Sequence, residues 1–236
     1  MRIAATGDLH FGKSSTGSFQ PVLSQITTAA ELLLLAGDIT DYGTADEARA
    51  FVKELAASVR IPIVAVLGNH DFEAGHEQEI HQILVDHGVY VLDGDTCEVQ
   101  GVGFAGVKGF AGGFGRRALG PWGEPIIKQF VHEAVNEALK LESALARLRT
   151  EKKIVLLHYA PIEATVEGEP REIYPYLGCS RLEEPLGRYA VNAVVHGHAH
   201  NGSLEGRTSN DVPVFNVAYP LMRKTNPDHP YRILDI

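Results

Sequence analysis

The sequence predicts an α/β fold with a largely parallel sheet, on three observations. Short apolar runs such as residues 32–35 and 64–67 are too brief for helices and too continuous for half-exposed strands, so they read as strands buried on both faces. Between them lie segments with apolar residues at helical spacing, a βαβ rhythm of about thirty residues per crossover. Several runs then stop in glycine and polar residues, at the edge where open α/β sheets bind ligands.

Residues 3–6 form the first strand, which runs into Gly7-Asp8-Leu9-His10. After a Gly/Ser/Thr-rich loop over 12–18, Val22, Leu23, Ile26 and Ala30 recur at helical spacing. Strand 32–35 ends in Ala36-Gly37-Asp38, with Asp41 close behind. Thr44-Ala45-Asp46-Glu47 is a capping box, opening a helix with Ala48, Val52, Leu55 and Val59 on one face. The third strand, 61–67, delivers Gly68-Asn69-His70-Asp71. Helix 77–86 carries Ile80, Ile83 and Leu84 and stops at Gly88.

The pattern then changes. Short strands 89–92, 96–100 and 102–107, separated by Asp93-Gly94-Asp95 and Gly101, predict hairpins and an antiparallel portion. Residues 108–123 form a glycine-rich loop with Phe110, Phe114, Arg116, Arg117 and Trp122, able to close over a site or simply to connect elements at the surface. The longest amphipathic helix spans 126–149, its stripe of Phe130, Ala134, Ala138, Leu141, Leu145 and Leu148 facing a core. Strand 154–157 delivers His158. A Pro- and Glu-rich loop through Tyr174-Pro175-Tyr176 and a short helix over 182–189 lead to strand 193–195, which ends in His196-Gly197-His198-Ala199-His200. Strands 214–218 and 231–234 close the sheet structure around a Pro/Asn loop. With no repeat, linker or low-complexity segment, residues 1–236 read as one domain.

A net charge of −9 without a dense Lys/Arg run gives no footprint for long nucleic acids, whose binding rests on neutralising many phosphates. Cys97 and Cys179 are isolated, so neither a thiolate zinc site nor a disulfide framework is expected. The amino terminus turns polar too early for a signal-peptide core and no apolar run reaches membrane-spanning length, so a cytoplasmic protein without membrane contact is the expectation. Oligomeric state is not legible.

Five strand ends carry Asp8/His10, Asp38, Asn69/His70, His158 and His198/His200. Singly, an Asp after glycine is an ordinary turn former and a His at a strand end an ordinary packing residue. Together they form an oxygen and nitrogen donor set suited to Mn, Fe, Zn or Co ions, and too large for one ion. Two ions about 3.5–4 Å apart need a bridging anion, either a carboxylate or a hydroxide, and such a hydroxide is a nucleophile for phosphorus.

The ordered series Asp8-x-His10, Gly37-Asp38-x-x-Asp41, Gly68-Asn69-His70-Asp71, a later His158 and Gly197-His198-x-His200 resembles the calcineurin-like metallophosphoesterases, and the chain looks most like their small bacterial phosphodiesterases. The resemblance implies a sandwich of two mixed β-sheets flanked by helices, with a dinuclear site at the strand ends. Carried over by position, it implies Asp8, His10, Asp38 and His200 around one ion, and Asp38, Asn69, His158 and His198 around the other, with Asp38 bridging. It makes His70 the general acid and Asp41 its hydrogen-bonded orienting partner. Asp71 is expected either behind the site or capping its turn, and His196 as a buried structural histidine. The implied activity is hydrolysis of a small phosphoester, more readily a diester, by a metal-bridging hydroxide, with Tyr176 and Arg181 as candidate substrate contacts. A nuclease of the same family is the alternative, with Arg116, Arg117, Arg171 and Arg181 holding a short strand. A non-catalytic scaffold with this fold would have lost ligands, and none is missing.

Overall fold

Along residues 32–35 every side chain is buried, yet neighbours go to different cores: Leu32 and Leu34 join one apolar cluster, Leu33 and Leu35 another. The two-residue period of a strand produces this division, and it demands a packed layer on each face of the sheet. The computed structural model, which describes residues 1–236, supplies both layers. Two mixed sheets lie face to face, and helices cover their outer sides.

The elements run β1 (Arg2–Thr6), α1 (Gln20–Ala29), β2 (Leu32–Ala36), α2 (Ala45–Ser58), β3 (Ile63–Val66), α3 (Glu77–Asp86), β4 (Val89–Val91), β5 (Asp95–Val99), β6 (Val102–Gly106), α4 (Pro125–Arg147), β7 (Lys152–Leu156), α5 (Tyr174–Leu177), α6 (Glu183–Leu186), β8 (Ala193–His196), β9 (Glu205–Arg207), β10 (Pro213–Asn216), α7 (Tyr219–Thr225) and β11 (Arg232–Asp235). One sheet has the order β11-β1-β2-β3-β4, parallel except for β11; the other has the order β5-β6-β7-β8-β10-β9, parallel from β6 to β10. Val64, Val66, Phe104, Ile154, Leu156 and Val195 fill the space between the sheets. Helices α1 to α3 cover the first sheet through Leu23, Ile26, Phe51, Leu55, Ile80 and Leu84, and α4 covers the second through Leu141, Ala144 and Leu145.

The capping box forms as the sequence predicts: Glu47 N–H donates to Thr44 Oγ1 at 3.4 Å, and Glu47 Oε2 accepts from Thr44 N–H at 3.2 Å. Three features depart from expectation, the first being α5, which stands where a loop was expected through Tyr174-Pro175-Tyr176. Residues 89–92 were expected in a hairpin, but β4 pairs parallel with β3, Ile63 opposite Val89, because α3 provides the crossover that parallel pairing needs. Leu92 then enters the inter-sheet core as the chain crosses to the second sheet, where β5 and β6 form the hairpin. β9, between β8 and β10, and α7, in the loop before β11, were not foreseen. β9 has no apolar residue to signal it. In α7 Pro220 sits in the first turn, where its missing N–H costs nothing, and Leu221 and Met222 are buried.

Because β1, β2 and β3 run parallel in one sheet and β7 and β8 in the other, their carboxyl ends can share one rim. Contacts across that rim bring the two sheets together there: Gly7 pairs with Ala218, and His158 Nδ1 lies 2.9 Å from Ala36 O. No helix is long and apolar enough to cross a membrane.

Candidate metal centre

The backbone at this rim is unusual. Six non-glycine residues have positive φ, and four of them are Asp8 (55°), His10 (44°), Asp38 (46°) and His198 (68°). Asp and His tolerate the left-handed region better than most residues, but each such position still costs about 1 kcal/mol or more and persists only where its surroundings fix it. Here parallel exits fix it: Asp8 N–H donates to Gly37 O at 2.9 Å and His10 N–H to Asp38 O at 3.0 Å, so the β1 turn lies against the β2 turn. Two glycines permit the close approach. A Cβ on Gly68 would lie 2.1 Å from Asp38 Oδ1, and one on Gly197 would lie 2.2 Å from Asp8 Oδ2.

Asp8, His10 and His200 have donor atoms mutually within 4.8 Å, and so do Asp8, Asp38, His158 and His198. Asp8 is therefore common to both sets. Its carboxylate accepts from His198 N–H at 2.9 and 3.0 Å, and His200 Nε2 lies 3.0 Å from Oδ1. Burial opposes ionisation of Asp8, but the His200 hydrogen bond and the charges of His158, His200 and His198 outweigh it and bring its pKa down to about 2. Asp38 spans the two sets: Oδ2 is 3.7 Å from His10 Nε2, and Oδ1 is 3.4 Å from His158 Nε2. Burial lowers the pKa of His10, and takes that of His198 to about 3 with help from His158. Neutral imidazoles of this kind are what metal ligation requires.

Two ring nitrogens, one of them without any partner, fit a cation. His158 is fully buried, and its Nδ1 must donate to the Ala36 carbonyl, which can only accept. Its Nε2 faces oxygens, with Asn69 Oδ1 at 2.9 Å and Asp38 Oδ1 at 3.4 Å. A ring nitrogen set among acceptors is satisfied by a positive charge, either a proton on the ring or a cation between the groups. His10 Nε2 is buried with no hydrogen-bond partner at all. The donor set, carboxylate, amide oxygen and imidazole without thiolate, matches ions of the Mn, Fe, Zn and Co group. His198 Nε2 reaches Tyr176 O at 3.1 Å, fixing its tautomer so that Nδ1 is the atom free for ligation.

His70 forms a third donor set with His10 and Asp38, its ring centroid 4.4 Å from that of His10. Its Nδ1 is 2.7 Å from the main-chain carbonyl of Asp41, so this residue orients His70 through its backbone, while its carboxylate lies 3.5 Å from His10 Nδ1. His70 N–H donates to Asp38 Oδ1 at 2.8 Å. Asp71 has a role the sequence left open. It is fully buried and accepts from Gly68 N–H, Ile39 N–H, Thr40 N–H and Thr40 Oγ1–H at 2.7 to 3.2 Å, tying the β2 exit to the β3 exit. Burial and the charge of Asp38 push its pKa up against those donors. His196 lies behind the rim, between Gly197 O and Thr165 Oγ1, each at 2.8 Å, and burial takes its pKa to about 4. Tyr176 itself is exposed and meets the cluster through its carbonyl, whereas Arg181 lines a separate cavity beside Glu142 and Arg188.

A family model described as calcineurin-like phosphoesterase matches residues 1–202. The probable glycerophosphodiester phosphodiesterase GpdQ of Arcobacter nitrofigilis is 25% identical over 187 residues, covering 77% of this chain; the chain spans 60% of that relative. Among solved structures, the phosphopantetheinyl hydrolase PptH of Mycobacterium tuberculosis superposes with a TM-score of 0.69 at 16% identity, covering 98% of this chain and 95% of the other. The Thermus thermophilus protein TT1561 superposes with a TM-score of 0.54 at 14% identity, covering 94% of this chain and 90% of the other. At such identities the solved structures speak for the fold.

Gly68→Ala and Asp71→Ala should separate site from scaffold. The first places a methyl group against both the carboxylate and the backbone nitrogen of Asp38, and should cut divalent-metal affinity at least about tenfold by calorimetric titration, an Asp38 shift of under an ångström sufficing. The second strands four donors, and should cost about 3 kcal/mol or more in urea denaturation. Wild-type metal affinity in Gly68→Ala, or wild-type stability in Asp71→Ala, would refute the geometry.

Proposed function

The chain belongs to the calcineurin-like phosphoesterase family, hydrolases of phosphoric esters, and we propose that within it the protein is a phosphodiesterase for a small substrate, working with two divalent metal ions. The observation that carries this reading is the convergence of Asp8, His10, Asp38, His158, His198 and His200 into overlapping donor sets at one rim. The diester preference draws support from the relationship to the Arcobacter nitrofigilis protein, whose name is that of a phosphodiesterase.

In this reading Asp8, His10, Asp38 and His200 hold one ion, and Asp38, Asn69, His158 and His198 the other. Mn, Fe, Zn or Co ions bound there supply positive charge to the phosphoryl oxygens and bring the acidity of a water nucleophile near neutrality. The chain's own groups do the rest. Asp38 fixes the spacing of the two halves from the end of β2, and its hydrogen bond from His70 N–H ties the acid's backbone to the same carboxylate. His70 donates Nδ1–H to Asp41 O, which leaves Nε2 as the atom facing a leaving group. There it can deliver a proton to the departing alkoxide only as the imidazolium, restoring the neutral ring afterwards. Asp71 holds Gly68 and Thr40, and so keeps the β2 and β3 turns in register for this contact.

Two substitutions test the division of roles. Asp38→Ala should lose both bound metal, measured by elemental analysis, and hydrolysis of bis(4-nitrophenyl) phosphate. His70→Ala should keep its metal while kcat falls by about 10²–10⁴ for alkyl diesters and far less for nitrophenyl esters, which leave without a proton. Metal and activity retained in Asp38→Ala would remove the bridging role, and equal losses on both ester types in His70→Ala would remove the acid role.

A further inference from the structure

The loop over residues 108–123 and the loop that follows His158 meet in a groove of about 470 Å³ whose walls include Phe114, Arg116, Arg117, Glu163, Arg171 and Tyr174. The chain carries a net charge of −9; Arg2, Arg49, Arg147, Arg188, Arg207 and Arg232 each pair with a carboxylate, while Arg60, Arg149, Arg181 and Arg223 stand unpaired away from this groove. Arg116, Arg117 and Arg171 pair with none, although Glu163 lies in the same groove. Three guanidinium groups left without counter-charge on converging loops of an acidic protein form an anion site, and their planar, multidentate donor geometry matches phosphate.

The groove is built rather than incidental, and one segment, Tyr174–Leu177, both lines it and contacts the donor cluster. Gly112 N–H donates to Pro175 O at 2.7 Å, Gly113 N–H to Gly178 O at 2.8 Å and Gly115 N–H to Ser180 Oγ at 2.7 Å, so the backbone bearing Arg116 and Arg117 is stitched to the segment after Tyr174. The same segment reaches the cluster on its other side. Tyr176 O is 3.1 Å from His198 Nε2, and Ala160 N–H, two residues beyond His158, donates to Leu177 O at 3.0 Å. Tyr174 and Tyr176 are two residues apart on α5, about 3 Å along its axis.

We infer that this groove is the subsite for a second phosphate on the substrate, so that the substrate class is a small phosphodiester bearing a further phosphate group. The inference rests on the phosphodiesterase reading and deepens it: the dinuclear rim takes the scissile diester, and Arg116, Arg117 and Arg171 take the distal phosphate, with Tyr174 and Phe114 beside the group that joins them. Discrimination against a substrate lacking the second phosphate follows from the charge-assisted hydrogen bonds to these guanidinium groups that such a substrate does not make.

The test compares thymidine 5′-(4-nitrophenyl phosphate) with its 3′-phosphorylated counterpart, which release the same leaving group and differ only in the distal phosphate. The wild-type protein should favour the 3′-phosphorylated ester by about tenfold or more in kcat/KM, mainly through KM, and the triple variant Arg116→Ser, Arg117→Ser, Arg171→Ser should bring the ratio close to one. Calorimetry on the metal-loaded protein supplies a reading independent of turnover: thymidine 3′,5′-bisphosphate should bind at least about tenfold tighter than thymidine 5′-monophosphate, and the triple variant should erase the difference. Hydrolysis of both esters at equal efficiency overturns the subsite and leaves the phosphodiesterase reading standing. Hydrolysis of neither, with the arginine-dependent bisphosphate preference intact, overturns the phosphodiesterase reading and keeps the subsite. A preference that survives the triple substitution overturns the assignment to these arginines.

Discussion

The Asp38 carboxylate is where the two halves of the donor cluster meet. It is 1% exposed, has no lysine or arginine partner, and points one oxygen toward His10 and the other toward His158. A buried, unpaired carboxylate costs several kcal/mol, and Asp8 and Asp71 bring further carboxyl groups to the same rim. His70 N–H offsets part of the cost for Asp38, and His200 and the His198 N–H do so for Asp8. What remains is a concentration of carboxylate and imidazole groups that protons or bound cations balance, and the fully buried His158, its Nε2 facing two oxygens, belongs to it.

The fold accepts this arrangement because its cost falls at strand ends, where the hydrophobic layers behind are already complete. Val64 and Val66 bury their side chains between the sheets while the next residues make the turn to Asn69 and His70. Left-handed backbone at Asp8, His10, Asp38 and His198 turns donors from both sheets inward, and the absence of side chains at Gly68 and Gly197 lets neighbouring carboxylates come closer than a methyl group would allow. Arg116, Arg117 and Arg171 line a separate groove, joined to the donor cluster through the segment Tyr174–Leu177.

Much of this was legible in the sequence because the signals were local. The Thr44–Glu47 capping box, helix 77–86 and the apolar runs before Asp8, Asp38, Asn69, His158 and His198 are patterns within ten residues, and the structure reproduces them. What failed depended on distant partners. Whether residues 89–91 pair with β3 or with β5 is decided by which sheet lies alongside, and nothing inside Val89-Tyr90-Val91 encodes it. The short β9, Glu205-Gly206-Arg207, exists only because β10 offers it a ladder. The tie of Asp71 to Ile39 and Thr40 spans more than thirty residues of chain, and the orienting contact to His70 comes from a carbonyl of Asp41, a group every residue possesses. Side-chain identity could flag both aspartates, but only the packing of turn against turn distinguishes a stapling carboxylate from a ligand.

The central claim is that this rim is a preformed site for two divalent cations. The most direct measurement is calorimetric titration of Mn²⁺ or Zn²⁺ into chelator-stripped wild-type protein, with thermal unfolding followed across the same titration. Two equivalents per chain are predicted, with stability rising as the sites fill, by about 2.7 kcal/mol for each site at a hundred times its dissociation constant. Binding of no metal, or a stripped protein whose unfolding is unmoved by saturating metal, would contradict the account.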